Sequence, residues 1–168
     1  MKQTIDDVFD LLVEDEQLLR LVYHLPKLYG VRPDPLDPSL PNMLDMAVDK
    51  RWDIIDKRIL QSSKADDLVD NPICRLYVHL GNRLPNSSGS FKVATQDIHI
   101  DVLAHEVYEI DSRIARISDR LNELLIHNRI TGLGKVEYVR GLPHPAPKNY
   151  SGYRHTYKVW NMKYDNRN

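Results

Sequence analysis

Asp97, His99 and Asp101 occupy alternate positions in Gln96-Asp97-Ile98-His99-Ile100-Asp101-Val102, with His105 further along the same run. Successive side chains of a strand point to opposite faces, so this spacing gathers an imidazole and two carboxylates on one side. Those are the donors of a divalent-metal site or the members of an acid–base pair. A plainer account is available, because Ile98, Ile100, Val102 and Ala104 fill the intervening positions. Alternation alone then makes Asp97, His99 and Asp101 the solvated side of a half-buried strand, or part of a subunit contact. The plainer account is the expectation: no catalytic residues, no metal and no cofactor.

Other reactive groups lack the partners their chemistry needs. His105-Glu106 could act as base and orienter, but neither a G-x-S-x-G elbow nor an H-E-x-x-H helix surrounds it. Cys74 is the only cysteine and falls on the apolar side of Cys74-Arg75-Leu76-Tyr77-Val78. An intrachain disulfide and a thiolate zinc cluster are therefore excluded, and a reducing compartment fits. Gly132-Leu133-Gly134-Lys135 looks like a piece of a phosphate loop, yet it lacks G-x-x-x-x-G-K-[ST] and follows a helix instead of opening one. It reads as a helix stop. Tyr150, Tyr153, Tyr157 and Trp160, with Arg154 and Lys158, are of the types that stack on bases and pair with phosphates of a nucleic-acid single strand. Aromatic residues also suit strands and protein interfaces.

The elements that would position these groups follow from periodicity. Ile5, Val8, Phe9, Leu12, Leu19, Val22 and Tyr23 recur at helical spacing, predicting one helix over residues 5–24. Pro26, Pro33, Pro35, Pro38 and Pro41 make 26–41 an extended connector. Leu44, Val48, Trp52, Ile55 and Ile59 predict a second helix with an acidic wet face. From Cys74 the period becomes two, predicting strands at 74–80 and 98–104 joined by a long polar loop. Asp111 is placed to cap a third helix with the stripe Ile110, Ile114, Ile117, Leu121, Leu124 and Leu125. This helix carries Arg113, Arg116, Arg120 and Arg129, interleaved with Asp111, Asp119 and Glu123 that lie within i,i+3 and i,i+4 reach of several of them. Strands at 135–140 and 153–161 follow, linked by the proline-rich loop 141–152.

The expected fold class is α+β: an antiparallel sheet of at least four strands in two hairpin pairs. The long helix between the pairs packs on one face, and two N-terminal helices precede them. At 168 residues the chain suits one domain. Residues 1–70 would form the helical region, 71–162 the α+β core and 163–168 a short tail. Lys and Arg number 23 against 24 Asp and Glu, a formal charge of −1 at pH 7, so no bulk positive field draws the chain to nucleic acid or anionic lipid. The acidic N-terminal stretch and the lack of a long apolar run predict neither a signal peptide nor a membrane span.

Arg75-Leu76-Tyr77-Val78-His79-Leu80-Gly81-Asn82-Arg83, a polar loop, Gln96-Asp97-Ile98-His99-Ile100-Asp101-Val102, the helix from Arg113 to Ile126 and the closing Tyr150-Ser151-Gly152-Tyr153-Arg154-His155-Thr156-Tyr157-Lys158-Val159 form a recognisable order. Across residues 73–161 it resembles the tail terminator, or tail completion, proteins of long-tailed bacteriophages, also called tail-to-head joining proteins. The resemblance implies a non-enzymatic virion protein, made in the host cytoplasm and located at the head–tail junction. It would form a homo-oligomeric ring, usually a hexamer, that caps the tail tube, ends its polymerisation and docks on the head–tail connector. Genomic DNA would pass through the lumen without specific binding. On this reading Arg83, Asn86, Phe91, Lys92, His144, Lys148 and Tyr150 belong to partner-contact loops, and Asp97, His99, Asp101, Arg113, Arg116 and Arg120 are candidates for subunit contacts. The alternatives are a neighbouring neck or head-closure component, a single-strand nucleic-acid binder and, third, a hydrolase using Asp97, His99 and Asp101.

Overall fold

The β-branched and aromatic residues that alternate through the second half pair into a five-stranded sheet in the order β1-β2-β3-β5-β4. In the computed structural model, which describes residues 2–62, 68, 72–85, 93–130 and 134–162, the strands are β1 (Ile59–Leu60), β2 (Cys74–Pro85), β3 (Val93–His105), β4 (Glu137–Pro143) and β5 (Tyr150–Met162). The two expected hairpin pairs are present, β2 with β3 and β4 with β5, and β3 joins β5 to make one sheet. The sheet is mixed and not purely antiparallel, because Ile59 and Leu60 run parallel to Leu76 and Tyr77. Ile59 had the spacing of a helix end, but the chain turns extended after Arg58, where this β-branched residue finds a strand to pair with.

β2 and β3 extend further than their alternation suggests. The register slips between Leu80 and Arg83, so Gly81 and Asn82 together face one position of β3, a bulge that resets the period and hides the rest of the strand from pattern reading. The side-chain amide of buried Gln96 donates to the carbonyls of Gly81 and Asn82 at 3.1 and 3.2 Å. Arg83, expected in a loop, is therefore a strand residue, whereas Asn86, Phe91 and Lys92 lie outside the described residues.

The helices also depart from the expected layout. The predicted helix over 5–24 is two, α1 (Lys2–Val13) and α2 (Glu16–Tyr23). Asp15 breaks it by accepting a 2.7 Å hydrogen bond from the Leu18 amide, an N-cap that starts a new helix at a new angle. α3 (Val48–Arg58) buries only Ile55, and Val48 is 60% exposed. Its expected stripe is divided, with Leu44 in a preceding 3-10 turn and Ile59 in β1. α4 (Arg113–Leu125) buries Ile117, Leu121 and Leu125 as expected. Asp111 does not cap it: Glu106–Asp111 is a 3-10 helix, Ile110 is 78% exposed, and Ser112 enters α4 at φ 53°. Arg129 falls beyond the helix end.

One apolar cluster joins Val8, Leu12 and Leu19 of the N-terminal helices to Ile117 and Leu121 of α4 and to Leu76, Ile100 and Tyr157 of the sheet. A second, smaller cluster of Leu68, Tyr77 and Leu103, supported by Ala146 and Tyr150, covers part of the remaining sheet surface. Gly152 lets the 144–147 segment sit there. A Cβ at Gly152 would lie 2.5 Å from the His144 carbonyl oxygen and 2.9 Å from Leu103 Cδ2. Gly152→Ala is therefore expected to cost about 1–3 kcal/mol in urea unfolding, as overpacked sites do. Adjacent Ser151→Ala, which removes only a surface hydrogen bond to Glu109, should cost under about 1 kcal/mol, and equal losses for both would contradict the steric account.

Candidate functional site

Asp97, His99 and Asp101 do share a face of β3, but it is not simply a solvated one. Asp101 is buried, opposite Tyr77 of β2 and Arg154 of β5. Arg154 grips it with a two-point fork, Nε to Oδ1 at 2.5 Å and Nη2 to Oδ2 at 2.8 Å. His79 Nε2 lies 3.0 Å from Oδ2 and His144 Nε2 lies 3.5 Å from it. His144 Nε2 is also 3.3 Å from Arg154 Nη2, which makes a neutral imidazole acceptor the fitting form at that contact. His99 turns aside: its Nδ1 meets Thr156 Oγ1 at 3.1 Å, and Nε2 packs over Gly81, where a Cβ would approach it to 2.3 Å. Asp97 stands in register with Lys158.

This constellation holds charge in place. Burial pushes the Asp101 carboxyl up, but hydrogen bonds from Arg154 and His79, with His144 nearby, outweigh that and hold it well below the usual carboxylate range. Burial, then the Arg154 charge, lowers His99; burial outweighs the attraction of Asp101 at His144, which is lowered too. Among the described residues, no three His, Cys, Asp or Glu side chains are placed to hold a metal ion. The sequence does not single out His79, and it reads His144 as a partner-contact loop residue and Arg154 as a phosphate contact, joining neither to Asp101. Pairing β3 with its neighbours would have found His79 and Arg154, whereas His144 arrives from a loop and leaves no periodic signal.

The arginines of α4, candidates for subunit contacts, are engaged within the chain. Arg113 is fully buried, donates to the Leu21 and His24 carbonyls at the end of α2, and pairs with Asp111 at 2.7 Å. Its guanidinium also lies 4.8 Å from the Tyr108 ring centre. Arg116 forks onto Asp34 at 2.6 and 2.9 Å, and Arg120 onto Asp15 at 2.5 and 2.9 Å. These side chains strap the N-terminal layer and the proline connector to α4.

The aromatic strand divides by parity, as β5 requires. Tyr150, Arg154 and Lys158 fall on one face; Tyr153, His155 and Tyr157 fall on the other, where Tyr157 is buried and donates to Asn122 at 2.8 Å. Of the residues suggested for base stacking and phosphate contact, Trp160 therefore joins Tyr150, Arg154 and Lys158 on the first face, while Tyr153 and buried Tyr157 lie on the other. Tyr150 supports the second core cluster and its hydroxyl accepts from the Ile73 amide at 3.4 Å, while Lys148 stays in the loop before β5.

On the α4 side, buried His155 bridges Ser118 Oγ at 2.8 Å and the Tyr138 hydroxyl at 3.2 Å, and Ser118 donates to the Ile114 carbonyl at 2.7 Å. Beside them a groove of about 480 Å³ opens between α4 and the β4–β5 hairpin. It exists because the sheet continues past the last helix: α1, α2 and α3 pack on β2, α4 on β3 and β5, and β4 projects beyond them. No helix among the described residues is long and apolar enough to cross a membrane.

The chain is thus an α+β protein whose polar clusters fasten a helical layer and a loop to a mixed sheet. It belongs to the YomW family, whose sequence model matches residues 15–159. The SPbeta prophage-derived protein YomW of Bacillus subtilis (strain 168) is 36% identical over 166 residues, covering 92% of this chain and 95% of that one. This kinship supports a phage origin.

Proposed function

We propose that the chain is a structural virion protein that caps the phage tail tube, ends its polymerisation and joins tail to head as a homo-oligomeric ring. The observation that carries this reading is the near-full-length likeness to a prophage-derived protein, taken with the order of strands and α4 over residues 73–161. The architecture suits such a part. The straps from α4 make the helical layer rigid, and β4 is exposed along most of its length, leaving an edge for a neighbouring protein to meet. The segment 144–149 offers a surface through which the tube or the head–tail connector would be met.

Deleting the gene from an inducible phage that encodes it should leave DNA-filled heads unattached to tails and tails of uncontrolled length in negative-stain images. Purified protein should form rings. Joined particles with tails of normal length after deletion would rule the role out.

A further inference from the structure

A rigid apolar knob and an apolar groove occupy opposite flanks of α4. The knob is the turn from Leu28 to Arg32, closed by hydrogen bonds of 2.8 and 3.1 Å between those two residues and turned at Gly30 with φ 71°. It displays Tyr29 at 91% exposure and Val31 at 72%. Exposed apolar side chains on a loose loop mean little, but this loop is fixed. Arg20 donates to the carbonyls of Asp37 and Leu40 at 2.8 and 2.9 Å, and Asp34 is forked by Arg116. A preorganised aromatic tip is what a protein interface uses as an anchor.

The groove is lined by Ile114, Ala115, Tyr138 and Tyr153, together with Ser118 and Asn122. At about 100° per residue, positions 114, 115, 118 and 122 lie across α4 from Arg113, Arg116 and Arg120, which hold the N-terminal layer and the knob's base. Knob and groove of one chain therefore face away from each other. Their charges are complementary: Lys27, 5.2 Å from the Tyr29 ring centre, and Arg32 flank the knob, whereas Asp119 lines the groove.

We infer that the knob at Tyr29 and Val31 docks into the α4–β4–β5 groove of a second copy of this chain. Such a contact is heterologous, with a different patch on each side, so repeating it generates a ring when the rotation closes. The inference rests on the ring reading above and supplies its interface. It also explains why the connector is strapped down at Asp34: an unfixed knob would lose the ordering entropy on docking.

The test is the solution mass of the full-length chain by light scattering after gel filtration. Wild type should form the ring, and Tyr29→Ser with Val31→Ser should run at the 19.6 kDa of one chain. Its self-affinity should fall at least about 30-fold, the size expected for truncating a central aromatic anchor. Ala115→Arg, which fills the groove from an exposed helical position, should also be monomeric. Circular dichroism and urea midpoints should match wild type for both, since the altered side chains are exposed. Mixed together, the two variants should form a one-to-one dimer and stop, because each keeps one working half. Rings that persist in the knob variant, or a mixture that remains monomeric, would overturn this interface and leave the ring reading intact. A monomeric wild type at high concentration would overturn both. If the knob variant kept its ring and lost binding to tail tube protein, the knob would serve that partner and the inference would fall.

Discussion

Arg113→Met is expected to destabilise the protein by about 3–5 kcal/mol, the range found when one member of a buried charged pair is removed. The side chain keeps its length, so packing changes little. What goes is a cation that satisfies the Leu21 and His24 carbonyls and the Asp111 carboxylate together. Those carbonyls sit at the C-terminal end of α2, where peptide dipoles favour positive charge and no intrahelical donor remains. Asp111 would keep only its longer 3.5 Å contact to Arg116, and the face of Tyr108 would lose the guanidinium above it. Against a typical domain stability of about 5–15 kcal/mol, the variant should unfold at far lower urea than wild type. Arg113→Lys should recover less than half, because an ammonium on a flexible stem cannot reproduce the planar fork that reaches α2 and Asp111 at once. A loss under about 1 kcal/mol for Arg113→Met would show that the α2 contact is incidental.

Arg113 also marks where reading the sequence stops working. The stripe of α4 and the alternation of β3 depend on neighbours a few residues away, and both are legible. The long-range arginine partners are not. Local spacing offers Asp111, Asp119 and Glu123, and among the described residues it finds Arg113–Asp111 and Arg120–Glu123, both at 2.7 Å. Arg113 meets Leu21 across 92 positions and Arg116 meets Asp34 across 82; nothing in a helical period encodes which acid from another layer arrives. The break at Asp15 fails differently, since the apolar spacing runs almost unbroken through it while a side-chain cap redirects the backbone. The candidate site shows both limits at once. Parity correctly gathers Asp97, His99 and Asp101 on one face, but whether that face is wet depends on Tyr77 of β2 and on Leu68 and Ala146, brought over it by other segments.

Asp101→Asn carries the other large effect and gives it a pH signature. At pH 7 the change removes the carboxylate from Arg154, His79 and His144, and about 2–3 kcal/mol should be lost. This is less than for Arg113 because Arg154 is 31% exposed and partly solvated when released. The sign of the pH effect follows from which state holds its protons more tightly. The Asp101 carboxyl titrates lower in the folded chain than its ordinary value, so its contribution is complete above about pH 4, the unfolded value, and fades as pH falls below it. His99, His144 and His155 are lowered mainly by burial; the unfolded chain binds their protons better, and stability declines as pH falls through about 6.5. Wild type should therefore lose stability in two stages, one below about pH 6.5 and one below about pH 4. The Asn variant should lack much of the second. Its first stage should be steeper, because the Asp101 charge opposes burial at all three imidazoles and its removal makes protonating them in the folded state costlier still. Urea midpoints at half-unit intervals from pH 7.5 to 3 would resolve both stages. Wild-type and variant curves that stayed parallel throughout would mean that Asp101 is not the charge around which this cluster is organised.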